Sequence, residues 1–374
     1  MRHPLPSLHL LRTLIPAIAL LVAAHPVAAQ STVTFAVPGA HTTLPLTVNN
    51  RGVVAGLYMS DTGDTGAFVR DARGVISPLE LADSAGFTQY VSLNLSGTVV
   101  GAYYSTSVLA RGFVRTPDGH ITPFDMPGAG LTLLSGINDR GAMIGAYIDS
   151  AFSRGAGFVV SPRGEVEEVT GPGDHIYLPT VINTTGAIAG IAQDHPSNGS
   201  AFAGAFHRDA SGAVSMIDIP HVPLNSATTR VNIELVHPTG INAAGTVTGR
   251  YVFIEWAGNT PVEGGSIGFL RHPDGSVETF ALPGSPAAYP WGDEYDDVIT
   301  GLTAAGSVVG HRGVPGTGGR VSYVLSRNGR GTAVEVDGSL WTLVRATSPS
   351  GVMTGTTYLP DFAETGLTLG FIKR

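Results

Sequence analysis

The sequence predicts an all-β fold: a seven-bladed β-propeller with four-stranded blades, its ring closed by the N-terminal strand completing the last blade. Three observations predict it. They are a glycine-rich, charge-poor composition, a motif that recurs seven times, and chain ends that complement each other. Of 374 residues 50 are Gly, 13% are charged and 43% are hydrophobic. A mean hydropathy of +0.19 excludes a disordered chain. The glycines keep no three-residue period, which excludes collagen. Much Gly and few long side chains suit short strands joined by tight turns.

In chain order, residues 1–29 read as a signal peptide. Arg2 and Arg12 make a positive start, and no acid precedes Asp61. Leu14 to Ala24 is apolar, and Val27-Ala28-Ala29 supplies the small residues of a cleavage site before Gln30. No later stretch approaches the ~18 apolar residues of a membrane span, so none is expected after cleavage. The chain has no Cys. That removes disulfides, thiolate nucleophiles, Cys zinc sites and a lipidated Cys. Such a chain is expected to be secreted or periplasmic, in a bacterium. Residues 30–374 are then one propeller domain.

A Gly-x-x-x-Gly element recurs at Gly52, Gly97, Gly141, Gly186, Gly245, Gly306 and Gly351. Repeats of this length signal an array or a propeller. Two residues on stands a large apolar side chain: Val54, Val99, Met143, Ile188, Val247, Val308 and Met353. In a strand it shares a face with the second Gly. The side chain is expected to fill a core, and the Gly to admit a neighbouring sheet. Asn49, Asn94, Asn138, Asn183 and Asn242 open the turn before the first Gly, with Thr303 and Ser348 in the last two repeats. Asn94 and Asn183 also fit a glycosylation sequon, but their place in the repeat favours turn geometry.

An aromatic follows in each repeat: Phe68, Phe113, Phe158, Phe206, Phe269, Tyr323 and Phe371. Turns such as Pro117-Asp118-Gly119 and Pro273-Asp274-Gly275 then lead to a fourth strand. Four short strands in such a repeat fit a propeller blade. The seventh repeat stops short of its fourth strand. Phe35-Ala36-Val37-Pro38-Gly39 matches Phe124–Gly128 and Phe280–Gly284, so the chain start can supply it. A solenoid would need atypical caps instead.

The Asn-x-x-Gly-x-x-x-Gly strand followed by Gly-Ala-Phe or Gly-Phe resembles the HAF-type extracellular repeat proteins, a bacterial family of exported propeller-like chains. The resemblance spans residues 31–374. Gly66-Ala67-Phe68, Gly204-Ala205-Phe206 and Arg111-Gly112-Phe113 stand where that family has His-Ala-Phe. The resemblance implies fold and export, and no catalytic motif comes with it.

Chemistry is sparse. Gly264-Gly265-Ser266-Ile267-Gly268 has nucleophile-elbow spacing, but it leads into a repeat strand rather than a helix. His175, His195, His221, His237 and His311 are scattered, so no metal or cofactor is expected. Asp293-Glu294-Tyr295-Asp296-Asp297 lacks the spacing of a calcium loop. A net charge of −8 speaks against nucleic acid and anionic membranes.

The tight turns all fall on one face of the disc, and the variable connections share the other. Extra length lies in Ile219–Leu235, Tyr251–Gly265 and Pro283–Asp297. Function usually sits on such loops, and the tight-turn face is expected to offer little concavity. The candidate ligand-binding residues are therefore Glu255, Trp256, Glu263, Tyr289, Trp291, Asp293, Glu294, Asp296 and Asp297. The leading expectation is a monomeric binding module for a carbohydrate, peptide or protein. The alternative is a hydrolase or lyase with its site at the mouth of the central channel.

Overall fold

A computed structural model describes residues 31–81, 83–194, 204–285, 297–314 and 319–374. The expected signal segment, residues 1–29, lies outside them. Among the described residues twenty-eight strands run from Thr32–Phe35 to Thr368–Lys373, beside one α-helix, Phe362–Thr365. Thr32–Arg374 is one compact unit. No helix among the described residues is long and apolar enough to cross a membrane.

Each repeat follows the same course. In the first, Ala40–Val48, Val54–Ser60, Thr65–Arg70 and Ile76–Leu79 pair antiparallel in chain order. Repeat seven supplies three strands: Trp341–Thr347, Met353–Tyr358 and Thr368–Lys373. The last of these pairs antiparallel with the chain's first strand, Thr34 facing Phe371. Two parallel bridges, Thr42 to Thr368 and Leu131 to Ala110, join repeats into eight-stranded sheets beside three four-stranded ones. None of these sheets closes on itself. First strands of successive repeats pack side by side, and that of repeat seven packs on that of repeat one.

The core lies between neighbouring sheets. The rings of Phe68, Phe113, Phe158, Phe206, Phe269 and Phe371 are fully buried, and Tyr323 is half-buried. Phe113 and Val99 of repeat two share one apolar layer with Ala55, Val69 and Leu79 of repeat one. Another layer joins Val352 and Ile372 of repeat seven to Val48, Val54 and Phe68 of repeat one. Burying one such ring contributes about 2–3 kcal/mol, so the recurring aromatic is what holds each sheet to the next. Phe35 of the first strand is half-buried, edge-on to Phe68 and beneath the Arg70 guanidinium.

The two motif glycines have different causes. Gly52 sits at φ +78° and closes the turn by donating its N–H to the Asn49 carbonyl, a conformation that excludes most side chains. The second glycine, Gly56, faces a β-bulge in the strand beside it. A Cβ there would lie 2.2 Å from the Leu44 carbonyl oxygen. At Gly145, Gly190, Gly249 and Gly355 the obstacle is the equivalent carbonyl. The close approach expected of a neighbouring sheet is thus made by the bulged partner strand of the same sheet.

The turn asparagine does more than shape its own turn. Asn49 Oδ1 accepts from the N–H groups of Arg51 and Val53 at 3.0 and 3.1 Å. Its Nδ2 donates to the Asn94 carbonyl in the next repeat, at 3.0 Å. Asn94, Asn138 and Asn183 pass the same bond to Asn138, Asn183 and Asn242. These side-chain amides are buried and used internally, which explains the sequon-like spacing as turn chemistry. Thr303 and Ser348 keep a turn bond, from Ser307 N–H and Val352 N–H. Their hydroxyls are too short to bridge onward. There, Ala304 N–H bonds the Pro349 carbonyl, and Ser350 N–H bonds Asn50 Oδ1 of repeat one.

Candidate functional site

Repeat five carries the largest elaboration. Its first three strands, Arg230–Ile241, Val247–Ala257 and Thr260–Arg271, are eleven or twelve residues long. The connection 219–229 folds back against this long hairpin, and Glu255 organises it. Glu255 is 0% exposed. Its carboxylate accepts from Leu224 N–H at 2.8 Å, Asn225 N–H at 3.2 Å and the Thr228 hydroxyl at 2.5 Å. It also lies 2.8 Å from His221 Nε2. Burial pushes the carboxyl up, but donors from Thr228, Leu224, His221 and Asn225 outweigh it and leave the group below its usual range.

The surrounding side chains complete a rigid unit. Glu263 stands opposite Glu255 in the strand register, buried, with Asn225 Nδ2 at 3.3 Å. His221 stacks 4.5 Å from the Phe253 ring, and its Nδ1 lies 2.9 Å from the Tyr251 hydroxyl. Burial drives that hydroxyl up to about 12, so it stays protonated. Trp256 lies on the other face of the strand, with the Arg230 guanidinium 4.8 Å above its ring. Its indole Nε1 is buried without a partner. Outward, Val222 is 74% and Leu224 39% exposed.

Thus Glu255, Trp256 and Glu263 are brought together, but the two acids face inward. Asp297 is also interior. It accepts from Leu282 N–H at 2.8 Å and from the Ser285 hydroxyl at 2.7 Å. In repeats one, three and seven, Thr43, Thr132 and Thr342 take the equivalent N–H, so Asp297 caps a repeat turn. Tyr289, Trp291, Asp293, Glu294 and Asp296 lie outside the described residues. Ser266 is buried mid-strand and donates to the Asp297 carbonyl at 2.8 Å, which is no nucleophile elbow. Among the described residues no group of three His, Asp or Glu could hold a metal.

A cavity of about 260 Å³ opens where the Asn turns gather, lined by all seven repeats, with Asn49, Asn138, Asn183, Asn242, Ala304 and Pro349 at its wall. The tight-turn face therefore does carry a concavity, lined by residues at or beside the turn of every repeat. Sequence reasoning also missed a polar sector. The residue after the second motif glycine is Leu57, Ala102, Ala146 and Ile191 in repeats one to four, then Arg250, His311 and Thr356. Alignment of the repeats on that glycine would have revealed it.

No protein-family model and no curated protein matches the chain. Among solved structures it is similar to a catalytically inactive virginiamycin B lyase from Staphylococcus aureus with quinupristin. Identity is 14% over 92% of this chain and 99% of that one, with a TM-score of 0.52. A streptogramin B lyase matches at 12% identity over 92% and 97%, with a TM-score of 0.49. Both are β-propeller proteins. The fold of this chain is β-propeller-like. At such identity the likeness carries architecture and not the chemistry of the lyases.

Proposed function

We propose that the chain is an exported, monomeric seven-bladed propeller of the HAF-repeat type that binds a peptide or protein partner through its long-loop face. One observation carries the binding reading. The repeat-five platform spends its acids inward, on Glu255 and Glu263, and displays Val222 and Leu224 outward, while exposed Arg230 stacks on half-buried Trp256 on the other face of the strand. Sugar recognition would call for those carboxylates at the surface. A surface held rigid before contact loses less entropy on binding, and Arg and Trp are typical interface anchors.

The ring is supported by the cyclic packing of first strands, by the pairing of Thr32–Phe35 with the last strand, and by the turn bonds that pass from repeat to repeat. Export rests on residues 1–29. N-terminal sequencing of the mature protein should begin at Gln30, and an intact Met1 would exclude cleavage.

The binding test is selection of displayed peptides on the wild-type chain, followed by affinity measurement on a Val222→Asp/Arg230→Glu variant. Selected peptides should bind the variant at least about tenfold more weakly, a loss of roughly 1.4 kcal/mol. Equal binding to both would refute the platform as the contact surface.

A further inference from the structure

The cavity of the tight-turn face is less polar than its residues suggest. Every repeat but the seventh lines it with the aliphatic residue that precedes its turn: Val48, Leu93, Ile137, Ile182, Ile241 and Leu302. Asn49, Asn138 and Asn183 also stand at the wall, but both ends of each amide are committed. Oδ1 caps its own turn, and Nδ2 bonds a carbonyl of the next repeat. Asn50 Oδ1 is held by Ser350 N–H. The wall thus offers water few partners, and a poorly hydrated apolar cavity favours an apolar occupant.

Two polar groups at the same wall are left over. The run of amide bonds from repeat to repeat stops at Asn242. Its Oδ1 accepts from Ala244 N–H at 3.1 Å and Thr246 N–H at 3.0 Å, but its Nδ2 donates to none of the described residues. The residue is only 8% exposed, and a buried donor left unpaired is costly. Asp139 is the one charged residue at the wall among the described residues. Its Oδ1 accepts from Leu95 N–H of repeat two at 2.7 Å, and no described residue donates to its Oδ2. The turn itself does not require an acid, since the counterparts of Asp139 are Asn50, Leu95, Thr184, Ala243, Ala304 and Pro349.

An apolar wall with a single carboxylate and a single free amide donor selects its ligand by shape and charge. We infer that this cavity is a binding site for a compact apolar amine. The apolar body packs among the aliphatic residues, the ammonium meets Asp139 Oδ2, and an acceptor oxygen on the ligand meets Asn242 Nδ2. At ~30 Å³ per water the space holds about nine waters, so the ligand is a single small ring with its substituents rather than a drug-sized molecule. The site lies on the tight-turn face and does not rest on the binding role proposed for the repeat-five platform.

The test is calorimetric titration of the full mature chain with three ring compounds of one shape. Tyramine carries the ammonium, para-ethylphenol lacks it, and para-hydroxyphenylpropionate has a carboxylate in its place. Tyramine should saturate, para-ethylphenol should bind at least tenfold more weakly, and the propionate should not bind. Asp139→Asn keeps an oxygen for Leu95 N–H, and should weaken tyramine at least tenfold while leaving para-ethylphenol unchanged. A purely structural role for Asp139 would move both ligands alike. Asp61→Asn removes the same charge from an exposed turn outside the cavity and should change nothing. Should Asp139→Asn fail to melt cooperatively, Ala304→Trp tests the same cavity by filling it from an exposed position, and should abolish tyramine binding. The inference is overturned if tyramine does not bind wild type, if either analogue binds as tightly as tyramine, or if Asp139→Asn or Ala304→Trp binds tyramine as wild type does.

Discussion

Replacing Asn138 tests whether the turn asparagine stitches repeats together. Asn138 Oδ1 accepts from Arg140 N–H at 3.0 Å and Ala142 N–H at 2.9 Å, and Nδ2 donates to the Asn183 carbonyl at 2.9 Å. The residue is 5% exposed, so water cannot readily replace these partners. At about 1 kcal/mol per hydrogen bond, Asn138→Ala should cost about 3 kcal/mol. Asn138→Ser copies repeat seven, where Ser348 keeps one turn bond and lacks the bridge. It should retain one of the three bonds and cost about 2 kcal/mol. Asn138→Asp keeps both acceptor bonds but turns a carboxylate oxygen toward the Asn183 carbonyl, and should cost at least about 1 kcal/mol. Urea unfolding with an unchanged m-value would measure all three. Wild-type stability in Asn138→Ser would refute the inter-repeat bond as a stabilising contact. Equal losses in the Ala and Ser variants would refute the turn cap.

Four further outcomes are expected. Phe35→Ala should cost about 1–2 kcal/mol, because its ring is only half-buried against Phe68. Deleting residues 32–35 should lower the melting temperature further by exposing the edge of Thr368–Lys373, and an unchanged melt would show that the pairing adds no stability. Glu255→Ala should cost about 3 kcal/mol, since it orphans the donors of connection 219–229. The carboxyl is depressed in the fold, so its contribution is complete above the ordinary value of 4.5 and fades as pH falls through its folded value. Limited proteolysis within 219–229 should rise in the variant, and resistance equal to wild type would contradict the role. His311 stays neutral in the fold to about pH 3, whereas the unfolded chain takes up a proton near 6.5. Stability should be complete above about 6.5 and lose about 2 kcal/mol from this group by pH 5. His311→Gln should flatten that slope, and an identical pH profile would contradict it.

The repeat was legible because seven copies place glycine, asparagine and aromatic at matching positions, and each type has a narrow physical use. What the copies do not reveal is which atom meets which. The second glycine marks a close approach, but only coordinates show that a bulge carbonyl makes it. Asn reads as a turn residue, and its free Nδ2 is invisible in a one-dimensional pattern. At the candidate site the inward face of Glu255 was in fact readable. Tyr251, Phe253 and Glu255 alternate along one strand, and all three are buried, so Glu255 shares the face of two core aromatics. Loop length drew attention to the right insertion and obscured this alternation. Asp297 looked like the end of an acidic run because its equivalence to Thr43 and Thr132 appears only in hydrogen bonds.

The bond between Thr32–Phe35 and Thr368–Lys373 joins the two most distant parts of the described chain. A growing polypeptide presents its first strand long before the last one exists, and no local contact can stand in for it. Each intermediate repeat can find its neighbour as it emerges, but the apolar layer between repeats seven and one must wait for Val352 and Ile372. Packing of this layer is thereby delayed until Thr368–Lys373 has been made. A chain truncated by even one strand would carry an open edge and an uncovered layer, the very features by which quality control distinguishes unfinished from finished protein.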